Sequence, residues 1–225
     1  MSAAMQVDQF KSQALHLAST LVAASRCLFY DVGQDLEPTG HIVMGDDTRF
    51  ISAYVTQFRA CDPFHPRYFA AMQRSVFRTG EGGGTQLDRD RYIGSFMRPM
   101  GIAYKAEMFL RDEGGIIVAG MRMSRKAGLG EFRDADVNAL EAMQPVMERA
   151  LRAARASDRL GRVHSQMTVR EREVLRYMLD GAPNKVIAKK LALALPTVKS
   201  HVKSILQKVG ATSRADAISQ IFRLS

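Results

Sequence analysis

Four branched residues, Val198, Val202, Ile205 and Val209, recur at intervals of four, three and four, and Lys199, Ser200, Lys203 and Gln207 stand between them. On a helix this spacing gathers the apolar side chains into one seam and turns the polar ones to the opposite side. Lys199 and Lys203 then lie one turn apart, where their ammonium groups can donate to guanine edges or to phosphate oxygens. Just upstream, Lys185, Lys189 and Lys190 face outward on a second helical pattern whose inward positions are Val186, Ile187, Ala188 and Leu191. The charge distribution agrees with this reading. Of the net +9, residues 158–225 hold thirteen Lys and Arg against five Asp and Glu, a surplus of +8, and the other 157 residues hold 19 against 18. A short segment with nearly all the positive charge is the footprint of polyanion binding, since neutralising phosphates releases condensed counterions.

The elements that would hold these lysines are marked by their own end signals. Thr168-Val-Arg-Glu171 has the form of a capping box, so a helix starts there and carries Val174, Leu175, Met178 and Leu179 as its apolar stripe. Asp180-Gly-Ala-Pro183 ends it, and Asn184 is placed to cap the second helix. After Ala192-Leu-Ala194 a third helix begins, with Pro196 tolerated in its first turn. Ser213-Arg-Ala-Asp216 caps a fourth, whose Ala217, Ile218 and Ile221 are expected to pack on the others and leave apolar surface for a second copy. Two helices joined by a tight turn, the second presenting short polar and basic side chains, form the unit that enters a major groove.

Met167-Thr-Val-Arg-Glu-Arg-Glu-Val-Leu175, Gly181-Ala-Pro-Asn-Lys-Val-Ile-Ala188, Thr197-Val-Lys-Ser-His-Val202 and Leu206-Gln-Lys-Val-Gly210 resemble the LuxR/FixJ family of transcription regulators. The resemblance implies a four-helix DNA-binding domain in which Lys199, Ser200 and Lys203 read bases, Thr197 and His201 lie near the DNA backbone, and the last helix dimerises. Asn184, Lys185, Lys189, Val198, Lys208 and Arg214 complete the expected contact set on double-stranded DNA. One departure is Ala194, where the family usually has Ser or Thr. A missing N-cap of this kind costs about 1 kcal/mol.

The first two thirds read differently. Apolar positions Phe10, Ala14, Leu17, Ala18 and Leu21 predict a helix over 7–26. Strands are predicted at 27–32 and 41–44, helices at 48–60, 67–76 and 87–100, and a second hairpin from strands 103–110 and 116–123. A closing helix follows over 134–155, with Val137, Leu140, Met143, Val146, Met147, Ala150 and Leu151 along one side. This order describes an α+β sensor module of the GAF or PAS kind. The expected division is an α+β sensor and dimerisation domain over 1–156, a linker over 157–164, and an all-α four-helix helix-turn-helix domain over 165–225.

What such a module senses narrows by elimination. A phosphoacceptor receiver needs strands that end in acidic residues; Asp46-Asp47 follows a strand, but Asp88 and Asp90 do not. Lactone-binding modules of the family line their pockets with tryptophan, which is absent here, although Phe50, Tyr54, Phe58 and Asp62-Pro63 resemble their aromatic helix. The stretch 104–155 resembles the GAF-like half of orphan LuxR-type regulators. Tyr54, Phe58, Asp62, Tyr68, Phe96 and Tyr104 are the candidate lining of a small-molecule pocket, and the alternative is a module that only dimerises or docks a protein. The thirteen methionines suit either a loose core or an adaptable apolar cavity.

Other function classes find no support. His16, His41, His65, His164 and His201 fall at no metal-ligand spacing, Gly80–Gly84 lacks the Lys-Ser/Thr of a phosphate loop, and no Gly-x-Ser-x-Gly elbow occurs. Neither catalysis, nor a metal, nor a cofactor is expected. Cys27 and Cys61 read as free structural thiols. With no run of roughly 18 apolar residues and no signal-peptide pattern at the start, the expectation is a cytoplasmic homodimer without a membrane segment.

Overall fold

The computed structural model describes residues 4–44 and 49–224. The Asp46-Asp47 pair weighed as a receiver signal lies outside them. The chain divides into two compact units, Gln9–Arg152 and the combination of Met1–Asp8 with Ala153–Ser225. The division falls inside one helix, α4, which runs Asp134–Gln166, so residues 157–164, expected as a linker, are helical.

The first unit is built on an antiparallel sheet of five strands, β1 (Arg26–Val32), β2 (Pro38–Met44), β3 (Val76–Arg78), β4 (Tyr104–Arg111) and β5 (Ile117–Arg125), in the order β2-β1-β5-β4-β3. Both predicted hairpins are present. The register places Glu107 opposite Arg122, Lys105 opposite Ser124, and Leu28 opposite Arg122, and because side chains alternate across a strand, the sheet has two unlike faces. One carries Cys27, Phe29, Ala106, Met108, Met121 and Met123, all buried. Helix α1 (Ala4–Leu21) meets this face, with Phe10 edge-on to Phe29 at 6.0 Å. The other face carries Arg26, Tyr30, Lys105, Glu107, Arg122 and Ser124, a polar row that the pleat would ordinarily give to solvent. Here the segment 49–102 covers it, so that Lys105, Glu107 and Arg122 are each at most 5 % exposed.

That covering segment begins with helix α2 (Arg49–Ala53), widens into a π-helical turn over Tyr54–Phe58, and later forms helix α3 (Gln86–Tyr92) with a second π turn, Ile93–Met97. Its buried side chains include Phe50, Tyr54, Tyr92, Phe96 and Met97. The helix expected over 67–76 is not formed. Only a three-residue turn, Pro66–Tyr68, precedes strand β3, because Phe69 and Phe77 are drawn into an aromatic cluster with Phe109, 5.2 and 6.1 Å from its ring. Long-range pairing of β3 with β4 outweighs the local helical pattern. On α1 the buried apolar set is Phe10, Ala14, Leu15 and Ala18, with Val22 just past its end, while Leu17 and Leu21, expected inward, are 46 % and 44 % exposed. Val146 on α4 is likewise exposed.

The second unit holds α5 (Val169–Leu179), α6 (Asn184–Leu191), α7 (Leu195–Val209) and α8 (Arg214–Leu224) around a core of Met167, Val174, Leu175, Met178, Ile187, Val198, Ile205, Val209, Ala217 and Ile221. The capping box is formed, with the Thr168 hydroxyl accepting from Glu171 N and the Glu171 carboxylate from Thr168 N. The predicted Asn184 cap is not. Pro183 occupies the N-cap of α6 without a side-chain bond, and Asn184 instead accepts from Arg214. Val186 points out, 40 % exposed, which leaves Ile187 and Ala188 to carry the inner face. Ala194 caps α7 with no side-chain bond, as its type requires, and Gly210 closes α7 in the left-handed conformation that suits glycine.

Candidate DNA-reading face and ligand cavity

Helix α7 separates its two sides sharply. Val198 and Ile205 are fully buried and Val209 nearly so, while Thr197, Lys199, Ser200 and Lys203 are exposed. Lys185 and Lys189 of α6 are exposed as well. The expected contact at Val198 is corrected by its burial, because a residue with no accessible surface cannot touch a base. Three other residues of the expected set are engaged inside the domain. Lys208 donates to both oxygens of Glu171 at 2.8 and 2.6 Å, and Ser204 adds a bond to the same carboxylate at 2.5 Å. Arg214 donates to Ala182 O at 2.8 Å, to Met178 O at 3.3 Å and to Asn184 Oδ1 at 3.2 Å, tying the end of α5 to the start of α6. His201 is half-buried.

The Glu171 carboxylate thus joins the start of α5 to the middle of α7 and fixes the angle at which α7 is presented. Burial alone would raise its pKa, but the bonds from Lys208, Ser204 and Thr168 lower it to about 2. Ile221, expected to face a second copy, is 3 % exposed and belongs to the core; the outward apolar residue of α8 is Phe222, 63 % exposed.

In the first unit a cavity of about 20 Å³ lies under the covered sheet face, lined by residues that include Arg26, His41, Phe50, Tyr54, Phe96, Lys105 and Arg122. Of the predicted lining, Tyr54 and Phe96 are in place. Phe58 lies behind Phe96 at 5.2 Å, and Asp62 sits beneath Tyr54, accepting its hydroxyl at 2.9 Å. Tyr68 is elsewhere, packed on the glycine loop near Gly83 and Gly84, and Tyr104 does not reach the cavity. The charged lining was not foreseen from sequence.

Arg122 is the hub of this lining. It donates to Asp62 Oδ2 at 2.8 Å and to Glu107 Oε2 at 2.5 Å, and the Tyr30 hydroxyl donates to the other Glu107 oxygen at 2.6 Å. Gly120 is what allows Tyr30 to lie there, since a Cβ at that position would meet the ring 2.2 Å away. Burial would raise the Asp62 carboxyl, but Arg122 and then Lys105, with the Phe64 N–H and the Tyr54 hydroxyl, hold it below its ordinary value. Burial leaves Glu107 raised to about 7. Among the described residues no carboxylate is bonded to Lys105, which is 1 % exposed; it donates to the Tyr92 hydroxyl and lies 4.4 Å from the Tyr92 ring centre. Burial first, then the Arg122 charge, lowers it to about 7. Among the described residues neither Arg26 Nη1 nor His41 Nε2, both buried atoms, has a hydrogen-bond partner.

Comparison with known proteins agrees with both units. Residues 165–221 match the family of bacterial regulatory proteins, luxR family. The monoamine regulon transcriptional regulator of Klebsiella aerogenes is 28 % identical over 215 residues, covering 95 % of this chain and 90 % of the relative. The nitrate/nitrite response regulator protein NarL of Escherichia coli (strain K12) is 44 % identical over 77 residues, 34 % of this chain and 35 % of NarL. Among solved structures, the GAF domain/HD domain protein from Geobacter sulfurreducens superposes with a TM-score of 0.50 at 11 % identity, over 69 % of this chain and 99 % of that one. No described helix is long and apolar enough to cross a membrane. Residues 165–221 are therefore a luxR-family DNA-binding domain, and the first unit has a GAF-like fold.

Proposed function

We propose that α7 reads DNA through Lys199, Ser200 and Lys203, with Thr197 at its start and Lys185 and Lys189 of α6 on the flanking phosphates. The observation that carries this reading is the exposure of Lys199, Ser200 and Lys203 opposite a buried seam, on a helix that starts at a tight turn. Lys208, Asn184 and Arg214 then act as struts that orient the reading helix. One helix covers too few base pairs to select a genomic site, so the functional form is a homodimer on a two-fold-symmetric operator, and Phe222 supplies exposed apolar surface for the contact. The GAF-like domain binds a small molecule in the cavity between Tyr54, Phe96 and the sheet. At about 20 Å³ that cavity holds roughly one water, so a ligand enters by displacing its covering side chains.

Operators recovered by selection from random DNA, followed by gel-shift titration of Lys199→Ala and Lys203→Ala, test the reading helix. Each variant should lose about tenfold or more in affinity, as expected for one direct base contact, with an unchanged melting curve. The affinity of the wild type should fall steeply with salt, and Lys203→Ala should flatten a log–log salt plot if that side chain meets phosphate. Normal operator binding by both variants would remove α7 from the interface.

A further inference from the structure

The stoichiometry of the buried charges in the sensor domain is uneven. Among the described residues the half-buried Arg26 and the buried Lys105 and Arg122 line the cavity, and no carboxylate does. Asp62 and Glu107 stand behind Arg122 and are both bound to it; they reach Lys105 only through space, and among the described residues neither is bonded to Lys105 or Arg26. Two buried nitrogens of lining residues have no hydrogen-bond partner among the described residues: Nη1 of Arg26, whose guanidinium carbon lies 4.5 Å from the Phe50 ring centre, and Nε2 of His41. Removing a cation from water is costly unless it is paired, and a charge left uncompensated next to an apolar cavity has its natural complement in an anionic ligand. The walls specify the rest. Phe50, Ile51, Tyr54, Phe96 and Ile102 offer aromatic and aliphatic surface, which suits an apolar body better than a second charge.

We propose, building on the small-molecule reading above, that the sensor domain binds a small organic acid, its carboxylate held between Arg26 and Lys105 and its apolar body against Phe50, Tyr54 and Phe96. The lowered pKa of Lys105 fits this arrangement, because the ammonium form it disfavours is the one an incoming carboxylate would restore.

The test uses the full-length chain and matched pairs that differ only in charge: phenylacetate against phenylacetamide, and hexanoate against hexanamide, by calorimetry and thermal shift. At least one acid is expected to bind and raise the midpoint while its amide does not. Arg26→Gln should weaken that acid about tenfold or more, the loss of one charge-assisted bond, and Lys105→Met should abolish its binding while raising the midpoint of the free protein. The Lys105 result separates the proposal from a structural role, since a merely structural lysine would lower the midpoint when removed. Equal binding of acids and amides overturns the charge assignment and leaves the small-molecule reading standing. Acid binding that survives both substitutions overturns the proposal too, because the anion then sits elsewhere. If neither acids, amides nor a neutral acyl lactone bind, both readings fall together.

Discussion

Replacing Glu171 with Gln removes the charge that locks α7 to the start of α5 while keeping the side chain's length. The carboxylate receives four bonds, from Thr168 N, Ser204 Oγ and twice from Lys208 Nζ. Its pKa, lowered from 4.5 to about 2, converts to roughly 3 kcal/mol in favour of the ionised folded form. Lys208 is 27 % exposed although Glu171 is only 5 % so, and solvent screening of that partner reduces the figure to about 2 kcal/mol. The folded value lies below the unfolded one, so this contribution is complete above about pH 5 and is lost as the pH falls through 4.5 toward 2. Hydrogen exchange followed by mass spectrometry resolves the second unit from the first. At pH 7 peptides from α5 and α7 of Glu171→Gln should exchange as if stability had dropped by about 2 kcal/mol, roughly thirtyfold in the opening equilibrium. As the pH falls from about 4.5 toward 2 the variant and the wild type should converge. A difference that does not depend on pH would refute the electrostatic account and leave only a packing effect, and unchanged protection at pH 7 would refute the strut itself.

Three further outcomes follow from the same geometry. Ala194→Ser should stabilise the second unit by about 1 kcal/mol, because Ala194 already has the extended backbone of an N-cap and lacks only the side-chain acceptor; urea unfolding followed by helical circular dichroism measures it. Phe222→Glu should leave the melting midpoint unchanged yet abolish cooperative binding to a full palindrome, read by gel shift, whereas Ile221→Glu should unfold the domain because Ile221 is in its core. Gly120→Ala should destabilise the first unit by about 2 kcal/mol or more, since the new methyl evicts Tyr30 and strands a buried oxygen of Glu107, and a thermal melt of the two proteins side by side decides it.

The second unit was largely legible in the sequence because its signals are local. A capping box spans four residues, and the seam from Val198 to Val209 spans about three turns of one helix, so spacing alone places them. What escaped is tertiary. Asn184, Lys208 and Arg214 have the right types for DNA contacts, and only the approach of α5 to α7 and α8 shows that Glu171 and the carbonyls of Met178 and Ala182 hold them. Val198 entered the expected contact set through the family resemblance, although its place in the seam already put it inside.

In the first unit the alternation of strands β4 and β5 was visible: Lys105, Glu107, Arg122 and Ser124 interleave with Ala106, Met108, Met121 and Met123. Such a pattern ordinarily means a sheet with one wet face, and the sequence carries no local mark of what covers it. The covering segment, 49–102, buries those polar positions through the π turns that bring in Tyr54 and Phe96, and this is a non-local event that no period reveals. The polar row thereby changes meaning. On an open face Lys105 and Arg26 would be solvated charges of no consequence; under cover, with Arg122 already bonded to both carboxylates, they are cations beside an apolar cavity with no carboxylate bonded to them among the described residues. A sheet selected only for stability would place apolar residues of similar volume there, since buried ionic groups are often replaced without loss. The proposed binding of an anion would account for their retention, a requirement that folding does not impose.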